Sequence, residues 1–439
     1  MRMAQGRAGA GWLVAGAVAL TVLVSTGVWN PFPDLWNWIN TSGPIADPAA
    51  RWQERLGGTP QTVTLLPDHI VVEHRDSVEA LSRGSGRRVW STPADWAAVA
   101  GPPERTVVVA GKLLVKGYQV IDPATGLVIR RDEKASAVWT FDDQLLEVSC
   151  RTPQDCELTS REPASGDEKW STGLPGMGFV LFADNPELLG SVPLGADRIA
   201  PSHEPGKMPQ LLGFPIDGKV YVVSPALGEA TRDPVEPGRR ERIVVAGGRV
   251  LHSVATPRDG GCDIQVTARD TVGGKVWSIP KGQHLRTIGG GGCDQRDQPT
   301  GTDTVLVSVL PDGREQLIET GLGKPVLTCA AGEHLVAVDA QRALVRSADG
   351  KKLTMYEHDA DRPTKPKQLW TRKVNPEASA AIRSGVVVLV DRAPDRVIVL
   401  DPATGRVRRE VRTEAEVLAA DAKGLLLGQR RDLGYLAFD

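Results

Sequence analysis

One eleven-residue frame recurs along this chain and limits its fold more than any other feature. It appears at residues 80–90 (ALSRGSGRRVW), 120–130 (VIDPATGLVIR), 160–170 (SREPASGDEKW), 267–277 (TARDTVGGKVW) and 399–409 (VLDPATGRVRR). A small polar turn reaches glycine at the seventh position (Gly86, Gly126, Gly166, Gly273, Gly405), and a strand then carries Trp or Arg at the eleventh. The first three copies begin at 80, 120 and 160. A forty-residue step means stacked four-stranded units, so the expected fold is all-β: a β-propeller.

The segments between copies fit that grammar. QTVTLL, HIVVEH, SVEALS and RRVWS are four short strands parted by Pro-Asp, Arg-Asp and Gly-Ser-Gly turns, innermost first. The next unit reads TVVVA, KLLVK, YQVID and LVIRR; a third reads AVWTF, QLLEVSC, CELTSR and EKWST. A fourth is ill-defined: VYVVSPALG keeps the frame's glycine at Gly228, but 195–209 is an insertion rich in Pro and Gly. As a rim loop, that insertion is the first candidate for a binding surface. Four more regular units follow to residue 411. The last piece, EVLAAD, GLLLGQ and GYLAF, has three strands, and RWQERL at 51–56 supplies a fourth. Trp52 precedes Trp90 by nearly one repeat, so both termini build one closing sheet, which leaves no long edge exposed. This reading finds nine candidate units. Rings of seven or eight are commoner and the fourth unit is weak, so eight blades are expected, within a range of seven to nine.

Glycine at the seventh position supplies the positive φ of a tight turn. Four residues on, Trp90, Trp170 and Trp277 share one face of their strands and can lie over a neighbour's turn. Truncating such a ring typically costs ~3–5 kcal/mol.

The frame resembles the tryptophan-docking repeat of pyrroloquinoline-quinone-type propellers. Ala80, Ser85, Gly86 and Trp90 carry the likeness, as do the turns Asp122, Thr125, Gly126 and Asp401, Thr404, Gly405, although Arg130 and Arg409 stand where Trp belongs. The resemblance covers most of residues 51–439 and implies the fold. Its dehydrogenase branch implies a quinone held with calcium beside an adjacent-cysteine disulfide. No two cysteines here are adjacent, so neither quinone nor calcium is expected, and no catalytic, cofactor or metal residues are assigned. Its non-enzymatic branch, similar to the propeller subunit of the outer-membrane barrel-assembly machinery, implies a scaffold that binds a protein partner. This chain departs from that pattern in having no cysteine before Cys150 to carry a lipid.

The N-terminus indicates location. Residues 1–11 carry Arg2 and Arg7, 12–29 are eighteen uncharged residues, and the next basic residue is Arg51. That is long enough to cross a bilayer core, with the N-terminus cytoplasmic. Phe32, Trp36 and Trp38 in the 30–50 segment suit an interfacial belt. The adopted reading is a single-pass anchor with the propeller, residues 51–439, extracytoplasmic; a cleavable signal peptide with Ser25 and Gly27 before the cut is the alternative.

Cysteine usage agrees with export. Cys150 and Cys156 would bridge a hairpin, stabilising by roughly 2 kcal/mol. Cys262 and Cys293 fall in neighbouring units and are open to pairing, which would leave Cys329 as a core thiol. With a net charge of −2 and no basic run, nothing points to nucleic acid. The seven histidines form no metal or catalytic motif and read as loop or strand-surface residues. The expected function is that of a membrane-anchored, non-enzymatic interaction module of the cell envelope. A small-ligand or cell-wall sensor is the alternative, and a quinoprotein-type dehydrogenase a weaker one.

Overall fold

A computed structural model describes residues 43–176, 188–231, 233–258, 261–288, 293, 298–359 and 365–438. The chain divides into Met1–Pro44 and Ile45–Asp439. The expected anchor at 12–29 and its aromatic flank lie outside the described residues, and no helix among the described residues is long and apolar enough to cross a membrane.

The described residues of Ile45–Asp439 form nine antiparallel sheets, each built from strands consecutive in sequence except the last. Blade 1 runs from Thr62–Leu65 to Arg88–Pro93, blade 2 from Trp96–Ala100 to Val128–Asp132, and blade 3 from Ala135–Thr140 to Glu168–Leu174. Blade 4 spans Leu212–Ile216 to Glu229–Ala230, blade 5 Glu241–Ala246 to Lys275–Ser278, and blade 6 His284–Leu285 to Pro325–Thr328. Blade 7 runs from His334–Val338 to Lys367–Lys373 and blade 8 from Ser379–Arg383 to Val407–Arg412. Blade 9 joins Glu416–Asp421, Gly424–Gln429 and Asp432–Ala437 to Trp52–Arg55. Trp52 pairs with Tyr435 and Arg55 with Asp432, so the first strand of the body completes the last sheet.

The blade number is nine, not eight, and the cores show why. The described residues form nine hydrophobic clusters, and each one joins two neighbouring blades. Leu81 and Ile70 of blade 1 pack with Leu426 and Leu433 of blade 9. Val220 and Val222 of blade 4 pack with Ile243 and Val245 of blade 5. Leu353 and Trp370 of blade 7 pack with Leu389 and Ile398 of blade 8. A sheet buried on both faces must supply apolar side chains to two cores, and each of the nine does. The fourth unit, discounted in the sequence, is therefore a genuine blade. It has three strands among the described residues, and its third has shrunk to Glu229–Ala230.

Blade 2 also differs from expectation. Its innermost strand is Trp96–Ala100, and its second is Val107–Gly111. KLLVK, read as a strand, is instead the connection at 112–116. Leu114 there has a positive φ of 62°, and Leu113, Leu114 and Val115 face solvent.

Candidate functional site

The outside of the ring is held by the repeated frame. Its first and eleventh residues are cross-strand partners in four copies: Ala80 with Trp90, Val120 with Arg130, Ser160 with Trp170 and Val399 with Arg409. Asp122 and Asp401 fold their turns, each accepting the backbone N–H groups two and three residues on and the Thr hydroxyl. The eleventh side chain then covers the next blade's glycine. A Cβ on Gly86 would lie 2.5 Å from the Trp52 ring, one on Gly126 2.5 Å from Trp90, and one on Gly405 2.8 Å from Trp370. Trp170 covers Gly228, Trp277 covers Gly323, and Arg130 replaces a ring over Gly166. The indole N–H groups of Trp52, Trp90, Trp277 and Trp370 donate to turn carbonyls at 2.8–2.9 Å. The contact is structural, since it fastens each outer strand to the turn of the next blade. Gly273 stands apart, for nothing lies within 4 Å of its would-be Cβ. In that copy Trp277 pairs with Ala268, one residue out of the common register.

The inside of the ring is held differently. Propellers usually have four to eight blades around the channel. A ninth moves the inner strands outward and leaves space at the axis. Residues 188–209, of which 195–209 were expected on the rim, lie within that space as a strap along the inner wall. Leu189 donates to Gly213 of blade 4 and accepts from Val245 of blade 5. Val192 makes two backbone bonds, to Pro299 and Gly301, which lie between the first two strands of blade 6. Ile199 then bridges Val417 of blade 9 in parallel, with Ala200 N–H 2.8 Å from Val417 O. The Arg198 guanidinium reaches Asp395 (2.6 Å) and the Thr413 and Ala415 carbonyls. Thr64 of blade 1 donates to His203 O, and Asp142, beside blade 3, donates to Gly206 O.

Between its anchors at Val192 and Arg198 the strap makes no backbone bond to the inner strands of blades 7 and 8, although Leu194 and Ala196 pack on cores to which these blades contribute. A cavity of about 910 Å³ opens there. Its walls are strap residues 192–197, Arg286–Ile288 and the inner strands His334–Val338 and Ser379–Arg383, largely apolar. Three guanidinium groups line it: Arg286, Arg346 and Arg383. Arg286 pairs with Glu315 at 2.9 Å. Arg346 is enclosed by the carbonyls of Gly350, Asn375, Pro376 and Ala378. Arg383 donates to Ile382 O (3.0 Å) and Ala200 O (2.6 Å) and makes no ion pair with a described carboxylate. Burial lowers the pKa of both Arg346 and Arg383, against the pull of Asp391 on the first and Glu204 on the second. The strap's Glu204 has its carboxyl pushed up by burial, although Ser384 donates to it. Asp197, the acid of the lining, is engaged by Arg392 at 2.6 Å.

The remaining sequence candidates scatter. Cys150 and Cys156 are bonded across the blade 3 hairpin, and Cys262 is bonded to Cys293. Cys329 is a buried thiol raised to about 12 by burial. Two histidines are not surface residues: His74 is buried against Glu79 at 2.8 Å, and His358 is buried as well. No group of three metal-ligating side chains occurs among the described residues.

No family model and no curated protein matches this chain. Among solved structures it is similar to BamB from Moraxella catarrhalis, at 15% identity over 89% of this chain and 99% of that one, with a TM-score of 0.40. It is also similar to Hsv2 from Kluyveromyces lactis, at 8% identity over 73% of this chain and all of that one, with a TM-score of 0.32.

Proposed function

We propose that this protein is a non-enzymatic, protein-binding platform of the cell envelope, tethered by a span at 12–29 with its N-terminus cytoplasmic and its propeller outside. The observation that carries the reading is the uneven exposure of apolar side chains. Of thirteen large apolar residues exposed among those described, six belong to blade 2: Leu113, Leu114, Val115, Leu127, Val128 and Ile129. The corresponding connections of other blades hold Arg75-Asp76, Pro153-Gln154 or Arg430-Arg431. Apolar groups concentrated on one blade of a ring are characteristic of a protein contact. The two disulfides support an oxidising compartment. Placed outside the cell by its anchor, blade 2 would meet envelope partners.

A photo-crosslinking residue at position 114 of the full-length chain tests this in cells. The expected result is one recurrent envelope protein, lost in Leu113→Asp/Val115→Asp. Failure to capture any would overturn the reading, as would dye reduction by the purified chain supplied with quinone and calcium. Protease added to intact spheroplasts should digest the propeller; protection would refute the orientation. The cavity beside the strap favours a second reading, a ligand sensor.

A further inference from the structure

We propose that the channel cavity beside the strap binds a short extended peptide, whose carboxylate sits at Arg383. The inference rests on the protein-binding reading and names one ligand class for it.

The strap shows how this wall accepts an extended chain. At Val192 and again at Ile199 it lies along the wall and bonds to it through its backbone. Across blades 7 and 8 it makes no backbone bond to the inner strands. Among the described residues, His334–Val338 pairs with Arg342–Arg346 alone and Ser379–Arg383 with Val386–Arg392 alone. Each strand therefore keeps one unpaired edge, and both strands border the cavity. Leu335 is the exception, since Glu315 and Arg286 take its N–H and C=O. Sheet edges of this kind bind peptides by main-chain pairing. The volume lies in the range of cavities that hold one small ligand.

Charge selects the occupant. Arg286 and Asp197 already have partners of opposite sign, and Arg346 is saturated by carbonyls. Arg383 is held in place by two carbonyls but has no counter-ion in contact, in an apolar surround. A guanidinium desolvated in this way gains most from a carboxylate, which it can grip through two hydrogen bonds. Glu204 acts on Arg383 through space but does not touch it; an apolar ligand would leave the guanidinium without a contacting anion, and a bare anion would leave the strand edges unused.

Calorimetric titration of the full-length chain in nanodiscs tests the site with four probes. These are acetyl-Val-Ala-Val-Ala with a free carboxylate, acetyl-Val-Ala-Val-Ala-Asp-amide, the neutral acetyl-Val-Ala-Val-Ala-amide, and isovalerate. At least one carboxylate peptide should bind roughly ten- to a hundred-fold more tightly than the neutral amide, as for a hydrogen bond to a charged group. The winner identifies a C-terminal or a side-chain source. Arg383→Gln should remove that advantage without changing affinity for the neutral amide, and Arg383→Lys should keep part of it. Ile288→Glu, at an exposed position of the lining, should weaken the carboxylate peptides and decides the matter if Arg383→Gln does not fold. Equal binding of charged and neutral peptides, no binding, or isovalerate matching the peptides would each overturn the proposal. Silence here with the crosslink at 114 intact refutes this site and leaves the platform standing.

Discussion

The outer frame and the inner strap both hold blade to blade, by opposite means. Outside, one indole covers one glycine and donates to one carbonyl, repeated at Trp52, Trp90, Trp277 and Trp370. Inside, residues 188–209 are used once and bind mostly through their backbone, with Arg198 as the main side-chain anchor. The frame depends on residue identity and buries apolar area. The strap depends on path and satisfies polar groups. The first should govern stability, and the second should govern the shape of the channel.

The largest expected effect tests the frame. Trp370→Ala should destabilise the propeller by about 3–5 kcal/mol in urea unfolding, and a cost near that of an exposed residue would remove the frame from its structural role. Next is a pair of glycines in the same turn. Gly126 and Gly273 have φ of 72° and 86°, but only Gly126 lies under an indole. Gly126→Ala should cost roughly 2–4 kcal/mol, from strain and the clash with Trp90, and Gly273→Ala about 1 kcal/mol from strain alone. Equal costs would mean that docking contributes nothing. Arg198→Ala tests the strap, with an expected loss of about 1–3 kcal/mol because its ion pair is partly exposed.

The smallest effect concerns pH. The hydrogen bond from Arg408, helped by Thr404, lowers the Asp401 carboxyl from 3.8 to about 2. The folded state therefore favours the ionised form. That contribution is present above pH ~4 and is lost as pH falls through about 2. Asp401→Asn should cost under about 1 kcal/mol at neutral pH, since the group is largely solvated. Its melting curve should approach the parent's only as pH falls below about 2; a gap constant with pH would assign the cost to the turn alone.

The frame was readable because each part needs a particular residue: Asp122 and Asp401 to fold the turn, glycine for positive φ, Trp to cover it. Closure through Trp52 was readable for the same reason. Blade 2 misled because Lys112–Lys116 is a short apolar run that reads like a strand, while Trp96–Ala100, rich in small residues, does not look like one. The blade count went one short because two residues suffice for a strand in blade 4. The strap was illegible. Pro193, Pro201, Pro205 and Pro209 mark it as a loop, and its partners are spread along the chain from Thr64 to Val417, joined mostly through backbone groups that leave no signature. The cavity lies where the strap's backbone leaves the inner strands unpaired, so Arg383 reads in sequence as one arginine among many.

Hydrogen exchange across 189–206 tests the architecture most directly. A strap bonded along the inner wall predicts slow exchange at the amides of Val192 and Ala200, comparable with Val417 of blade 9, and faster exchange after Arg198→Ala. Complete exchange of this segment within seconds, with Val417 still protected, would place it outside the channel and contradict the account.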